Sequence, residues 1–174
     1  MLEILQGDIT TCNVDAIVNA ANNNLQGGGG VDGAIHRAAG AELLEACQSI
    51  GFCATGKAVY TKGYQLPARY VIHTVGPVWR GGNQGEDELL ARCYVASLKL
   101  AAQLRLQSIA FPSISTGAYG YPLEAAADVA ISTVIAFLQQ ADNKLSLQRV
   151  LMVCFDQASL RAYQNSFQRI TSPS

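Results

Sequence analysis

The sequence predicts a three-layer α/β/α fold, in which helices cover both faces of a central sheet, and two observations carry that prediction. Apolar runs of strand length alternate along the chain with amphipathic stretches of helix length. Several strand candidates are continuous apolar runs, which is typical of strands buried on both faces. Because the chain has 174 residues, 49% of them hydrophobic and 14% charged, we expect a single domain over residues 1–174, with its core at about 2–168.

Six strands are predicted where apolar or β-branched residues cluster between turn residues. A turn around Gly63 and Pro67 separates the third strand from the fourth. The last two are continuous apolar runs suited to the centre of the sheet. In chain order, the predicted strands are Leu2 to Leu5, Ala16 to Val18, Lys57 to Thr61, Tyr70 to Val75, Ser108 to Phe111 and Val150 to Phe155.

Four helices are predicted between these strands. The first is expected to break near Gly40, because glycine disfavours a helix interior. Pro122 suits the first turn of its helix, where a missing backbone N–H costs nothing. The predicted helices are Gly33 to Ser49, Glu86 to Gln103, Pro122 to Gln140 and Ala158 to Gln168.

Composition excludes several classes of function. Net charge is −1 and no basic run occurs, so we expect no direct nucleic-acid binding, which depends on many Lys and Arg contacts to phosphates. The five widely spaced cysteines and the two histidines favour neither a disulfide framework nor a metal site, and no cofactor is expected. The absence of an apolar signal after Met1 or a long apolar run predicts a cytoplasmic location without membrane insertion.

The segment from Asn19 to Gly33, called here the glycine loop, is the most informative part of the chain. It contains four consecutive glycines, Gly27 to Gly30, and such a run costs backbone entropy unless close approach or positive φ requires it. A phosphate or ribose lying on the main chain is such a requirement; a merely flexible loop is the alternative. The run satisfies the dinucleotide pattern G-x-G-x-x-G literally, but several residues separate it from the preceding strand, so we reject a Rossmann site.

A second loop, Pro112 to Pro122, joins a buried strand to a long helix and is called here the Ser–Tyr loop. Its small residues and glycines can direct backbone N–H groups at an anion near the positive end of the helix. An ordinary strand-to-helix turn is the alternative. After the opening strand, Asp8 is either a cap or a carboxylate that accepts a hydrogen bond from an exocyclic amine such as that of adenine.

Asp32 is the best-placed catalytic candidate, because it lies at a helix start inside the glycine loop. It is either an N-cap or a group that binds ribose hydroxyls or deprotonates a water. His36 follows one turn later and His73 lies in an apolar strand; both are more often structural. The cysteines have no base partner visible in the sequence, so no nucleophilic triad is indicated.

These segments together resemble a known family. The motifs, in chain order, are Gly7-Asp8-Ile9-Thr10, Asn19-Ala20-Ala21-Asn22, GGGGVDGAIHRAAG from Gly27 to Gly40, His73-Thr74-Val75-Gly76-Pro77-Val78-Trp79 and Ser115-Thr116-Gly117-Ala118-Tyr119-Gly120-Tyr121-Pro122. They resemble the macrodomain family, specifically its MacroD-type ADP-ribosyl hydrolases, and most closely the bacterial O-acetyl-ADP-ribose deacetylases. The resemblance implies a mixed, mostly parallel central sheet and a reaction that needs no metal.

The resemblance also implies a role for each site residue. Asp8 and the Ile9 amide would hold the adenine amine, and Phe155 would pack on the ring. Asn22 and Asp32 would face the distal ribose, Asn22 by hydrogen bonding and Asp32 as the catalytic carboxylate. Tyr119 would close over the distal ribose and diphosphate. The diphosphate would be wrapped by backbone amides of Gly28, Gly29, Gly30, Val31, Ser115, Thr116, Gly117, Ala118 and Tyr119.

The implied function is hydrolysis of an ester on the distal ribose. Substrates would be O-acetyl-ADP-ribose and ADP-ribose esterified to Asp or Glu side chains, with Asp32 activating the attacking water. Two alternatives stay open: a reader that binds ADP-ribose without cleaving it, and a regulatory partner of an RNA-processing enzyme, which would act through a protein contact.

Overall fold

A six-stranded mixed sheet forms the centre of the molecule in the computed structural model, which describes residues 1–140 and 146–173. The strands are β1 Leu2–Gln6, β2 Ala16–Ala20, β3 Ala58–Lys62, β4 Tyr70–Thr74, β5 Ser108–Phe111 and β6 Arg149–Cys154. The helices are α1 Gly30–Ala39, α2 Ala41–Ile50, α3 Glu86–Gln103, α4 Leu123–Gln139 and α5 Gln157–Thr171, and a short 3-10 turn spans Ile9–Thr11. The α/β fold class predicted from the sequence is confirmed.

The sheet order is β1-β6-β5-β2-β4-β3. Every neighbouring pair is parallel except β3 with β4, which are antiparallel. The strands β1, β6, β5, β2 and β4 therefore all end at the same side of the sheet, which we call the carboxyl edge. Ligands of open α/β sheets bind at this edge, outside the ends of the strands.

Residues alternate between two cores along each strand, as the pleat requires. Ala16 and Val18 face a core completed by α3, α4 and α5. Ile17 and Val71 face the opposite core, which α1 and α2 cover. Asn19, two residues after Ile17, consequently lies on the α1 side of the sheet.

Two predicted boundaries near the site differ from the structure by two residues or more. The first helix begins at Gly30 rather than Gly33, because glycines carry no side-chain signal for a helix start. Its break at Gly40 is confirmed, since Gly40 has φ 92° and separates α1 from α2. Strand β2 continues to Ala20, so Asn19 belongs to a buried strand and not to a loop.

No helix in the described ranges is long and apolar enough to cross a bilayer.

Candidate functional site

Four predicted site segments lie in a row along the carboxyl edge. Asp8 follows β1, Phe155 follows β6, the Ser–Tyr loop follows β5, and the glycine loop continues from the last two residues of β2. Because the sheet order is β1-β6-β5-β2, this is also their spatial order. The parallel topology alone therefore brings together sequence positions 8, 155, 112–122 and 19–33.

Asp32 occupies the third position of α1 and is only 5% exposed. The N-cap of this helix is Gly29, which has no side chain to make a capping bond. The interpretation of Asp32 as an N-cap is therefore wrong. Its Oδ1 instead accepts a hydrogen bond from Asn19 Nδ2 at 2.8 Å, and His36 Nε2 lies 3.4 Å from the same oxygen.

Asp32 Oδ2 faces the glycine loop. A Cβ atom at Gly28 would lie 3.4 Å from this oxygen and 3.8 Å from Nδ2 of Asn22. Asp32 and Asn22 thus border the same small space beside Gly28, from opposite ends of the glycine loop. Among the described residues, none donates a hydrogen bond to Oδ2, which leaves this oxygen for a ligand or a water.

The Asn22 side chain shapes the glycine loop. Its Nδ2 donates to the carbonyl of Gly27 at 3.0 Å, and its Oδ1 accepts from the amide of Gln26 at 3.1 Å. An amide nitrogen carries two N–H donors, so one donor is left for a ligand. Its predicted contact with a ribose stays a prediction.

The glycines supply backbone N–H groups at the start of α1. The first amide paired within the helix is that of Gly33, which donates to Gly29 O at 3.2 Å. The N–H groups of the preceding turn have no intrahelical partner, and the helix dipole adds positive potential there. Gly28, Gly29 and Gly30 are all exposed, so an anion can reach this backbone.

The Ser–Tyr loop offers a second row of backbone donors. The amides of Gly120 and Tyr121 pair within the loop, with Gly117 O and Ser115 O. No acceptor in the described residues pairs with the amides from Ser115 to Tyr119. Ser115 takes the left-handed conformation at φ 68°, which orders the loop in a shape that exposes consecutive N–H groups.

The residues that follow β1 and β6 offer a ligand one polar group and one apolar group. Asp8 caps the 3-10 turn, since its Oδ1 accepts from the amide and the hydroxyl of Thr10 at 3.0 and 2.7 Å. The capping interpretation is confirmed, and Oδ2 remains available for an amine. Phe155 is 83% exposed, so its ring is accessible to a ligand at the end of β6.

A family model described as the Macro domain matches residues 18–130, a span that contains the glycine loop and the Ser–Tyr loop. The chain belongs to the macrodomain family. The family resemblance carried by the sequence motifs is confirmed.

Relatives and solved structures extend the match beyond that span. A macro domain-containing protein of Chlorobaculum tepidum is 59% identical over 166 residues, covering 95% of each chain. A protein of Citrobacter rodentium named O-acetyl-ADP-ribose deacetylase is 54% identical over 167 residues, covering 94% of this chain and 93% of its own. A variant of the Oceanobacillus iheyensis macrodomain, solved with ADP-ribose, superposes with a TM-score of 0.92 at 47% identity, covering 97% and 92% of the two chains.

Two buried polar residues of this macrodomain were given no individual role in the site from the sequence, although the first of them lies in the glycine loop. Asn19 and His73 are 0% exposed and lie on the neighbouring strands β2 and β4. Asn19 Nδ2 lies 3.1 Å from His73 Nδ1, and Thr61 Oγ1 lies 3.0 Å from His73 Nε2. One feature of the sequence could have indicated them: each is a polar side chain near the end of a largely apolar strand, Asn19 in β2 and His73 in β4.

Burial keeps two titratable side chains of this region, His73 and Cys47, in their neutral forms. Burial, with a smaller contribution from His36, lowers the pKa of His73 from 6.5 to about 3. Burial, reinforced by the Asp32 charge, raises the pKa of the Cys47 thiol to about 11. Cys47 is therefore a thiol and not a nucleophilic thiolate at neutral pH.

The segment after β4 is organised by a buried carboxylate. Glu86 accepts hydrogen bonds from the amides of Arg80, Gly82 and Gln84 at 2.8, 3.0 and 2.6 Å. Burial by itself raises the pKa of Glu86, but these bonds outweigh it and lower the pKa to about 2. The same segment is tied to the Ser–Tyr loop by a bond from the Trp79 amide to Tyr119 O at 2.8 Å.

Within residues 1–140 and 146–173, no three His, Cys, Asp or Glu side chains form a group that could hold a metal ion.

Proposed function

We propose that this macrodomain hydrolyses esters on the distal ribose of ADP-ribose. Its substrates are O-acetyl-ADP-ribose and ADP-ribose esterified to Asp or Glu side chains. The observation that carries the proposal is the order of chemical groups along the carboxyl edge. A carboxylate and an exposed phenyl ring come first, two rows of backbone N–H groups without a partner in the described part of the chain follow, and a buried carboxylate comes last.

ADP-ribose presents complementary groups in the same order. Its adenine has an exocyclic amine and a flat ring, which match Asp8 Oδ2 and Phe155. Its diphosphate matches the amides of the glycine loop and the Ser–Tyr loop, because helix starts and consecutive backbone N–H groups bind phosphate without side-chain charge. The low overall charge of the chain, −1, is therefore compatible with an anionic ligand. The ADP-ribose bound by the Oceanobacillus iheyensis and Trypanosoma brucei macrodomains supports this assignment.

The distal ribose then lies beside Gly28, between Asn22 and Asp32. Asp32 Oδ2 accepts a proton from a water, and the water oxygen attacks the ester carbonyl carbon. The bond between that carbon and the ribose oxygen breaks, and the ribose oxygen takes the proton held by Asp32 to become a hydroxyl. The carboxylic acid formed from the acyl group releases its proton to solvent. The products are ADP-ribose and acetate, or ADP-ribose and an unmodified protein carboxylate. Asn22 assists by positioning the distal ribose or the water.

The name of the Citrobacter rodentium relative, O-acetyl-ADP-ribose deacetylase, supports hydrolysis over binding alone. The Asp32 carboxylate supports it as well, because a group beside the ester that can accept a proton can activate a water.

The test measures product release from O-acetyl-ADP-ribose and from mono-ADP-ribosylated protein, together with ADP-ribose affinity by calorimetry. Wild type is expected to turn over, and Asp32→Ala is expected to lose at least about 100-fold in kcat while it still binds ADP-ribose. The matched control is Glu42→Gln, an exposed acid in the first turn of α2. Wild-type binding without any product release would identify a reader, and unimpaired turnover by Asp32→Ala would exclude Asp32 as the catalytic carboxylate.

A further inference from the structure

We propose that Asn19 is a positioning residue, held in a single orientation by His73, that fixes the Asp32 carboxylate for the reaction. The inference rests on the proposed function, since it concerns how the catalytic carboxylate is held. Neither Asn19 nor His73 reaches the ligand surface, because both side chains are fully buried.

The donors and acceptors of this cluster can be assigned without ambiguity. Asn19 Nδ2 is a pure donor and lies within hydrogen-bond distance of both Asp32 Oδ1 and His73 Nδ1, at 2.8 and 3.1 Å. His73 Nδ1 must then be the acceptor, which places the ring proton on Nε2. Nε2–H donates to Thr61 Oγ1 at 3.0 Å, and the Thr61 hydroxyl donates to Lys62 O at 3.1 Å.

The opposite orientation of the Asn19 amide is excluded by charge. It would place Oδ1 against the Asp32 carboxylate and leave two acceptors in contact inside the protein. The adopted orientation leaves Asn19 Oδ1 buried without a partner among the described residues. An unpartnered buried oxygen costs about 1–3 kcal/mol, so any stabilising contribution of this amide comes from its N–H donors and not from its oxygen.

This arrangement divides the two oxygens of Asp32 between two tasks. Oδ1 is anchored to the sheet through Asn19, and Oδ2 points to the space beside Gly28. A carboxylate anchored through one oxygen cannot rotate freely, so the other oxygen keeps its direction toward the water. Precise placement of a catalytic group is a large part of an enzymatic rate, and a displacement of 1 Å costs about 100-fold.

The histidine state is tested first, by a measurement that does not depend on activity. Long-range ¹H–¹⁵N spectra report which nitrogen of His73 carries the proton. The titratable groups around the ring are Asp32 and His36 of α1 and Cys47 of α2. Wild type is expected to show the Nε2–H tautomer from pH 5 to 8, and Asn19→Leu a mixture of tautomers. A wild-type Nδ1–H tautomer would overturn the inference.

Kinetics then separate positioning from packing. Asn19→Ala and Asn19→Leu are both expected to lower kcat by roughly 10- to 100-fold, with KM changed by less than about threefold. If Asn19 only filled space, the similar volume of leucine would restore kcat. The matched control is Ser166→Ala, which removes another fully buried polar side chain, since Ser166 lies on α5 and its Oγ donates to Asp128 Oδ1 at 2.6 Å without contacting Asp32.

A second substitution keeps the test valid if the Asn19 variants fold poorly. His73→Asn retains an acceptor at the δ position toward Asn19, whereas His73→Leu removes it. We expect His73→Asn to keep a higher kcat than His73→Leu; equal values would contradict the inference.

The outcomes separate the proposed hydrolysis from the proposed positioning role of Asn19. A wild type that releases no product contradicts the proposed hydrolysis itself. An active wild type whose kcat survives Asn19→Leu contradicts only the positioning role.

Discussion

Gly76 lies directly against Ser115, so closely that a Cβ atom at position 76 would overlap Ser115 Oγ and the side chain of Ile114. Ser115 is a non-glycine residue with left-handed φ in the Ser–Tyr loop, and its Oγ is buried without a partner among the described residues. The segment after β4 therefore supports the shape of the loop that follows β5. This contact joins two neighbouring parts of the site that are far apart in sequence.

Gly76→Ala is expected to displace the Ser–Tyr loop. The added methyl group must push Ser115 away, at a cost of about 1–3 kcal/mol in the free energy of unfolding. Because the loop amides are then misdirected, ADP-ribose affinity should fall by at least about 10-fold. Calorimetry and urea unfolding measure the two effects.

The control for this substitution is Gly7→Ala. A Cβ at Gly7 would meet Leu5 and Val153 at 3.6 and 4.0 Å, which are ordinary contacts. Stability should change little. Tight ADP-ribose binding by Gly76→Ala would show that the loop tolerates the added methyl group.

Phe155→Ala is expected to weaken ADP-ribose binding by about 10-fold or more, since stacking of a base on an aromatic ring is worth about 1–3 kcal/mol. Stability should hardly change, because the ring is 83% exposed. The comparison is Tyr64→Ala, another exposed aromatic in the turn between β3 and β4, at the side of the sheet opposite the carboxyl edge. Equal affinity of both variants would exclude a ring contact at Phe155.

Stability should depend on pH through His73. The folded-state pKa is about 3 and the unfolded value about 6.5, so the unfolded chain binds the proton more readily. The stability present above pH 6.5 is therefore lost as pH falls from 6.5 towards 3, by up to about 1.4 kcal/mol per pH unit for one proton. Urea unfolding at pH 7, 6 and 5 measures this slope.

His73→Asn should reduce that slope, because it removes the titrating ring. Between pH 7 and 6 the contribution of Glu86 is nearly constant, since its folded-state pKa of about 2 and its ordinary unfolded value both lie well below this range. Identical slopes for wild type and His73→Asn would contradict a buried neutral histidine.

Glu86→Gln is expected to loosen the segment between β4 and α3. The charged carboxylate accepts from three backbone amides, those of Arg80, Gly82 and Gln84, and a neutral amide oxygen accepts more weakly. Hydrogen exchange at these amides should accelerate by about 10-fold or more. Glu88→Gln, on the exposed side of the same helix, should leave exchange unchanged; acceleration there as well would indicate a general effect of charge.

The strands and helices could be predicted because their signals are local. The apolar runs of β5 and β6 and the break at Gly40 are visible in the order of residues alone. The start of α1 could not be predicted, since Gly29 and Gly30 begin the helix without any capping side chain. The capping role of Asp8 was open from the sequence because a cap and a ligand contact use the same carboxylate; the structure shows the cap on Oδ1.

The role of Asp32 illustrates the limit of local patterns most clearly. An aspartate near a helix start can be a cap, and the residues of the glycine loop left both the cap and the ligand-facing role of Asp32 open. Its partner Asn19 lies 13 positions earlier, and the His73 that orients Asn19 lies 54 positions beyond it. Only the pairing of β2 with β4, and the packing of α1 on that face, brings these residues into contact.

The sequence by itself determined the family, the alternation of strands and helices, and the loops that carry glycine and small residues, because these features depend on residue type and spacing. Tertiary structure alone decided the order of those loops along the carboxyl edge, the division of the Asp32 oxygens between Asn19 and the ligand space, and the neutral state of His73. The physical reason is that burial, hydrogen bonding and strand order are set by which distant segments come into contact, and strand pairing establishes those contacts.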